Sequence, residues 1–162
     1  MALIFRDEKL IENDLFNAPE AYKVVTINCV GAMGKGIALA CKERFPKIYE
    51  DYRLRCKQNE IMIGNVYLYE DEKIILLPTK THFKYRSEIA YVTTGIDALA
   101  RLGHDLNEDV ALPPLGMANG WLREYERAII YRHLYDALNS GERNYRIYLP
   151  KALMTEAKKT LL

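Results

Sequence analysis

The chain has 162 residues, 49% of them hydrophobic and 28% charged, with 9 Gly and 6 Pro, a profile that excludes intrinsic disorder and collagen-like architecture. Lys and Arg number 23 against 22 Asp and Glu, a net charge of +1, which excludes a nucleic-acid binder relying on broad phosphate neutralisation. Any anionic partner must be met locally, by a few placed groups.

No apolar run approaches the roughly 18–20 residues that span a bilayer, and the start MALIFRDEKL lacks a signal-peptide core, so no membrane association is expected. Cys29, Cys41 and Cys56 are an odd number without a close CxxC pair, which points to a reducing cytosol. His82, His104 and His133 stand at no ligand spacing, so neither a metal nor a cofactor is expected.

Short β-branched runs alternate with helical patterns, the signature of a layered α/β fold. Strands are expected at Ala2 to Arg6, Tyr22 to Asn28, Val66 to Glu70, Lys73 to Leu77, Asp109 to Leu112 and Tyr145 to Leu149. The run KVVTINCV is nearly continuous in apolar or β-branched residues, as suits a central strand covered on both faces. Helices are expected from Gly36 to Phe45 and, after Pro46, from Lys47 to Lys57. A third opens at Ser87 and closes at Gly103, a fourth runs from Leu122 to Asn139, and Pro150 starts a last one over Lys151 to Leu162. With no repeat, linker or compositional break, one domain over 1–162 is expected.

Two glycine-bearing loops each follow a strand and precede a helix. The first is Asn28-Cys-Val-Gly31-Ala32-Met33-Gly34-Lys35-Gly36-Ile37-Ala, whose glycines let backbone approach a ligand and whose amides lead into a helix N-terminus that favours an anion. It is neither a Walker A loop nor GxGxxG, and read alone it is equally a tight turn whose glycines serve packing. The second is Leu112-Pro113-Pro114-Leu115-Gly116-Met117-Ala118-Asn119-Gly120-Trp121. Two such loops at one sheet edge would form facing walls of a cleft that clamps a diphosphate through backbone amides.

These residues resemble the macro domain family of ADP-ribose-binding modules. The similarity is strongest to the branch whose first loop reads N-x-V-G-x-M-G-K-G-I-A, followed by a helix and F-P, here Phe45-Pro46. That branch includes DarG-type antitoxins, which remove ADP-ribose from DNA bases, and many phage and bacterial stand-alone domains. Leu76 to Ser87, LLPTKTHFKYRS, resembles its P-T-K-x-H-aromatic-basic stretch, and PPLGMANG its second loop. The resemblance implies a three-layer α/β/α sandwich with a central mixed sheet of about six strands and no cofactor; a monomer is compatible with the sequence, which does not specify the oligomeric state.

The resemblance also implies roles. Asp14 stands where relatives bind the adenine amine, with Leu15 beside it, although an aspartate there is otherwise a turn cap. Asn28 matches a residue that contacts the distal ribose and assists catalysis. Gly31, Ala32, Met33, Gly34, Lys35, Gly36 and Ile37 would cradle that ribose and a phosphate. Pro114, Leu115, Gly116, Met117, Ala118, Asn119, Gly120 and Trp121 would close over the diphosphate. Lys80, preceded by Thr79, matches the catalytic lysine that approaches the anomeric carbon, its pKa open to depression by Lys84 and Arg86.

One departure stands out. Relatives place an aspartate in a G-L-D-W-like stretch, where this chain reads Trp121-Leu122-Arg123-Glu124, with Arg123 in the acid's place. Glu124 and Glu126 lie at other angles round the helix. The expected function is ADP-ribose binding with hydrolysis of an ADP-ribosyl derivative of nucleic acid or protein. The alternatives are an ADP-ribose-1″-phosphate phosphatase and a non-catalytic ADP-ribose reader. A third reading places nucleic acid on Lys42, Arg44, Arg53, Arg55 and Lys57, a stretch more simply read as a solvated helix face.

Overall fold

Strand β2 (Tyr22–Asn28) alternates its side chains between two cores. Tyr22 and Val24 join one apolar cluster while Val25 and Ile27 join another on the opposite face, and β4 (Ile74–Lys80) repeats the pattern with Ile75 and Leu77 against Ile74 and Leu76. A strand that buries both faces needs helices on both sides, and the chain supplies them. The computed structural model describes residues 2–117 and 121–162. In it α1 (Gly36–Arg44) and α2 (Pro46–Lys57) cover one face. Helices α3 (Ile89–Gly103), α4 (Glu124–Leu138) and α5 (Lys151–Leu161) cover the other.

With β1 (Leu3–Asp7), β3 (Tyr67–Tyr69), β5 (Val110–Leu112) and β6 (Tyr145–Leu149), the sheet has six strands in the order β1-β6-β5-β2-β4-β3. Only the β3–β4 pair is antiparallel. The three-layer architecture and mixed sheet are those that the resemblance implies. In a parallel arrangement β5, β2 and β4 end at one edge, so the chain leaving each strand meets the others there. No described helix is long and apolar enough to cross a membrane.

Several boundaries differ for identifiable reasons. Strand β4 runs three residues past Leu77, through Pro78 and Thr79 to Lys80, because β3 stops opposite Leu76 and Pro78 lies beyond its last rung. Ser87 does not cap α3. It is fully buried and donates its hydroxyl to the Thr79 carbonyl, while Glu88 takes the cap position. Gly103 ends α3 for space rather than for a left-handed cap, since a Cβ would lie 2.2 Å from the Tyr145 hydroxyl. Two 3-10 turns, Glu8–Ile11 and Leu15–Asn17, fill the segment before β2, capped by the Asp7 and Asp14 carboxylates.

Candidate ADP-ribose site

The first loop is organised from within by one amide. Asn28, 8% exposed, accepts the Val30 and Ala32 N–H groups on Oδ1 at 3.0 and 3.3 Å and donates Nδ2 to the Ala32 carbonyl at 2.8 Å. The Tyr52 hydroxyl, buried on α2, lies 2.8 Å from both the Asn28 carbonyl and Oδ1. The residue expected to meet a sugar is therefore first a clamp that fixes the loop, and the main chain of Ala32 is used inside the protein. Gly31 takes φ +84°, and a Cβ there would press on Arg53 at 3.4 Å.

Beyond Ala32 the backbone opens. The first helical bond of α1 runs from Leu39 N–H to the Lys35 carbonyl, so the N–H groups of Gly36, Ile37 and Ala38 have no acceptor within the helix. Gly34 differs from the other loop glycines: its φ is not left-handed, and a Cβ would meet nothing within 4 Å. Nothing in the described fold demands glycine there, as expected where an incoming ligand occupies the space. Met33 and Ile37 turn their side chains into the core, leaving the backbone to face outward.

The second loop leaves β5 next to β2. Leu115 and Met117 are core residues, Pro114 is half-buried, and Gly116 at φ +69° packs where a Cβ would lie 3.1 Å from Val92. Ala118, Asn119 and Gly120 lie outside the described residues. Trp121 is 57% exposed at φ +57°.

The Lys80 Nζ stands 3.9 Å from the centre of the Trp121 ring, against the end of the second loop. Its pKa is lowered, first by burial and second by Lys35 of the first loop. Lys35 thus takes the part expected of Lys84 and Arg86. Arg86 is otherwise engaged, ion-paired to Glu126 and 3.3 Å from the Trp121 carbonyl.

Glu126 is buried, and its Oε1 also accepts the Arg123 N–H at 2.9 Å. It closes the start of α4 and holds the end of the second loop, a fixed structural acceptor in place of a mobile acid. Arg123 occupies the cap position of α4 and lines a cavity of about 510 Å³ with Glu124, Tyr125, Ala128, Glu156 and Thr160, toward α5.

Asp14 is placed as the cap reading has it. One carboxylate oxygen accepts the Phe16 N–H at 2.9 Å and the other meets Arg44 at 2.8 Å, while Leu15 is buried beside Ile37 and Ala111. The segment therefore lies against the start of α1, with the Asp14 carboxylate one-third exposed. Of the basic helix residues, Arg44 pairs with Asp14, Arg53 with Glu50 and Arg55 with Asp51, while Lys42 lies over Tyr49. Three of the five expected cations are thus ion-paired within the protein. Burial raises the pKa of all three thiols, which are free, Cys41 and Cys56 to about 11. The described residues hold no cluster of His, Cys, Asp and Glu fit for a metal.

Sequence reading missed Tyr52 and the Arg86–Glu126 clamp because both act across elements far apart in the chain. It missed Ala38 because its backbone N–H, not its side chain, is the group without a partner in the helix, though its place in the first turn of α1 was a readable signal.

No family model matches the chain. It is 41% identical over 116 residues to the DNA ADP-ribosyl glycohydrolase of Mycobacterium tuberculosis, a match covering 67% of this chain and 33% of that protein. Among solved structures, the macrodomain of Thermus aquaticus DarG superposes with a TM-score of 0.78 at 32% identity, over 92% of this chain and 100% of that one. Thermosipho africanus DarTG in complex with ADP-ribose gives a TM-score of 0.79 at 29% identity, over 94% of this chain and 42% of that one. The chain belongs to the macrodomain family. It spans about one third of the length of the curated relatives it matches first.

Proposed function

We propose that residues 1–162 form one macrodomain that binds ADP-ribose and hydrolyses an ADP-ribosyl derivative, with nucleic acid as the acceptor class that the named relatives favour. The pyrophosphate lies across the free amides at the start of α1, where unpaired N–H groups and the helix dipole favour negative charge. The second loop, at Leu115, Gly116 and Met117, closes over it. Asn28 offers its remaining Nδ2 hydrogen to the distal ribose, and Asp14 receives the adenine amine. The three free thiols fit a reducing cytosol.

The observation that carries the reading is Lys80. It stands at the sheet edge between the two loops, its neutral form favoured by burial and by Lys35. The neutral amine attacks the anomeric carbon, forming a C–N bond as the bond to the acceptor breaks, and the proton lost by the alkylated amine passes to the departing acceptor. Water then returns hydroxyl to that carbon and a proton to the amine, releasing ADP-ribose. With Arg123 in the acid's place and Glu126 held by Arg86, no lysine–aspartate pair enters this scheme.

The test is release of free ADP-ribose from an ADP-ribosylated oligonucleotide, an ADP-ribosylated protein and ADP-ribose-1″-phosphate, by wild type and Lys80→Ala. Turnover by wild type on a conjugate, lost in Lys80→Ala while ADP-ribose still binds, supports the reading. Binding without turnover on all three substrates makes the domain a reader, and action on the 1″-phosphate alone makes it a phosphatase.

A further inference from the structure

We propose that the turn between β4 and α3, together with Trp121, is a stacking platform for a single-stranded nucleic-acid acceptor. The inference rests on the hydrolase reading above and extends it to the substrate strand. His82 packs against two rings, 4.3 Å from Phe83 and 5.1 Å from Tyr85 by centroid, with interplanar angles of 31° and 40°. Phe83 is 48% exposed and Tyr85 64%, and Trp121, whose carbonyl Arg86 meets at 3.3 Å, is 57% exposed. Cations are interleaved with the rings: Lys80 lies over Trp121, and Lys84 sits between Phe83 and Tyr85 in the chain. Residues 81–86, THFKYR, include no carboxylate.

The platform is held in place from below. Tyr85 N–H closes the turn on the His82 carbonyl at 3.1 Å, and Lys84 N–H bonds His82 Nδ1 at 3.1 Å. Ser87 ties the turn's end to Thr79, and Arg86 ties it to Glu126 and the Trp121 carbonyl. Such rigidity is wasted on a solvated loop and useful for receiving flat, stackable groups. Ring faces bind successive bases without sequence preference, and local cations meet the phosphates between them. A chain of net charge +1 has no broad basic surface for duplex DNA, and Lys42, Arg44, Arg53 and Arg55 of α1 and α2 are already engaged within the protein. A polypeptide acceptor gives no reason for cations to alternate with exposed rings.

The experiment compares wild type with a Phe83→Ala/Tyr85→Ala double variant. Both side chains are exposed, so folding is preserved and is checked by unchanged ADP-ribose affinity. Steady-state turnover is measured on an ADP-ribosylated single-stranded oligonucleotide, an ADP-ribosylated mononucleoside and an ADP-ribosylated protein. In the variant, KM for the oligonucleotide is expected to rise roughly 5- to 100-fold, about the range of one lost base stack, with the mononucleoside unaffected. An unchanged oligonucleotide KM, or a rise confined to the protein substrate, overturns the proposal. Should wild type cleave nothing, the hydrolase reading fails separately. Salt-dependent binding of an unmodified oligonucleotide of about ten nucleotides then decides: weakened in the variant it supports the platform, and equal in both proteins it overturns it.

Discussion

Asn28 and Lys80 are register partners across β2 and β4, brought opposite one another by a one-residue shift that leaves Thr79 without a rung. Such shifts re-aim side chains at strand ends, and here the shift joins the residue that builds the first loop to the lysine assigned the chemistry. Asn28→Ala would strip the Val30 and Ala32 amides and the Tyr52 hydroxyl of one acceptor and leave the Ala32 carbonyl without its donor. The expected cost is about 1–3 kcal/mol by denaturant unfolding, with ADP-ribose affinity reduced as the loop loosens. Tyr52→Phe should cost about 1 kcal/mol and weaken the ligand less.

Gly34 and Gly116 separate ligand space from fold space. Gly34→Ala should change stability by less than about 0.5 kcal/mol, because a Cβ meets nothing in the protein, yet weaken ADP-ribose roughly tenfold by calorimetry. Gly116→Ala carries a left-handed φ and a 3.1 Å contact with Val92, and should destabilise by about 1–3 kcal/mol.

Burial is the larger cause of the lowered Lys80 pKa, and Lys35 adds to it. A neighbouring cation disfavours the protonated amine, so Lys35→Met should raise the Lys80 pKa. If the neutral amine is the reacting form, activity rises with pH through that pKa, and the variant's limb moves to higher pH. A pH–rate profile of kcat/KM checks the direction of the shift.

How much of this was legible follows from where each determinant lies. The strand–loop–helix order was plain, because β2 and β4 are continuous apolar runs and α3 carries Ile89, Val92, Ile96 and Leu99 at helical spacing. Pro78 hid the end of β4: proline reads as a strand stop, and only the shortness of β3 makes it harmless. Lys84 and Arg86 looked like the neighbours of Lys80 because they are close in sequence. Lys35 is the actual neighbour because β2 and β4 are paired, which no local pattern shows. The second-loop residues Ala118, Asn119 and Gly120 fall outside the described residues, and their part rests on the motif alone.

Glu126 should govern acid stability of the second loop's end. The Arg123 N–H and Arg86 hold its carboxyl below the ordinary glutamate range. A depressed carboxyl contributes stability above its unfolded pKa and loses it as pH falls through the lower folded value. Glu126→Gln should therefore lower Tm at pH 7, with the gap to wild type narrowing below about pH 4. Thermal unfolding at several pH values measures this, and a gap constant with pH would assign Glu126 no ionic role.

The most direct measurement is an amide NMR titration with ADP-ribose. Resonances of Gly34, Lys35, Gly36 and Ile37 should move together with those of Leu115, Gly116 and Met117, at one shared Kd, since one pyrophosphate lies between both loops. Saturable binding that leaves either set of amides unmoved, or no binding at all, would contradict the account.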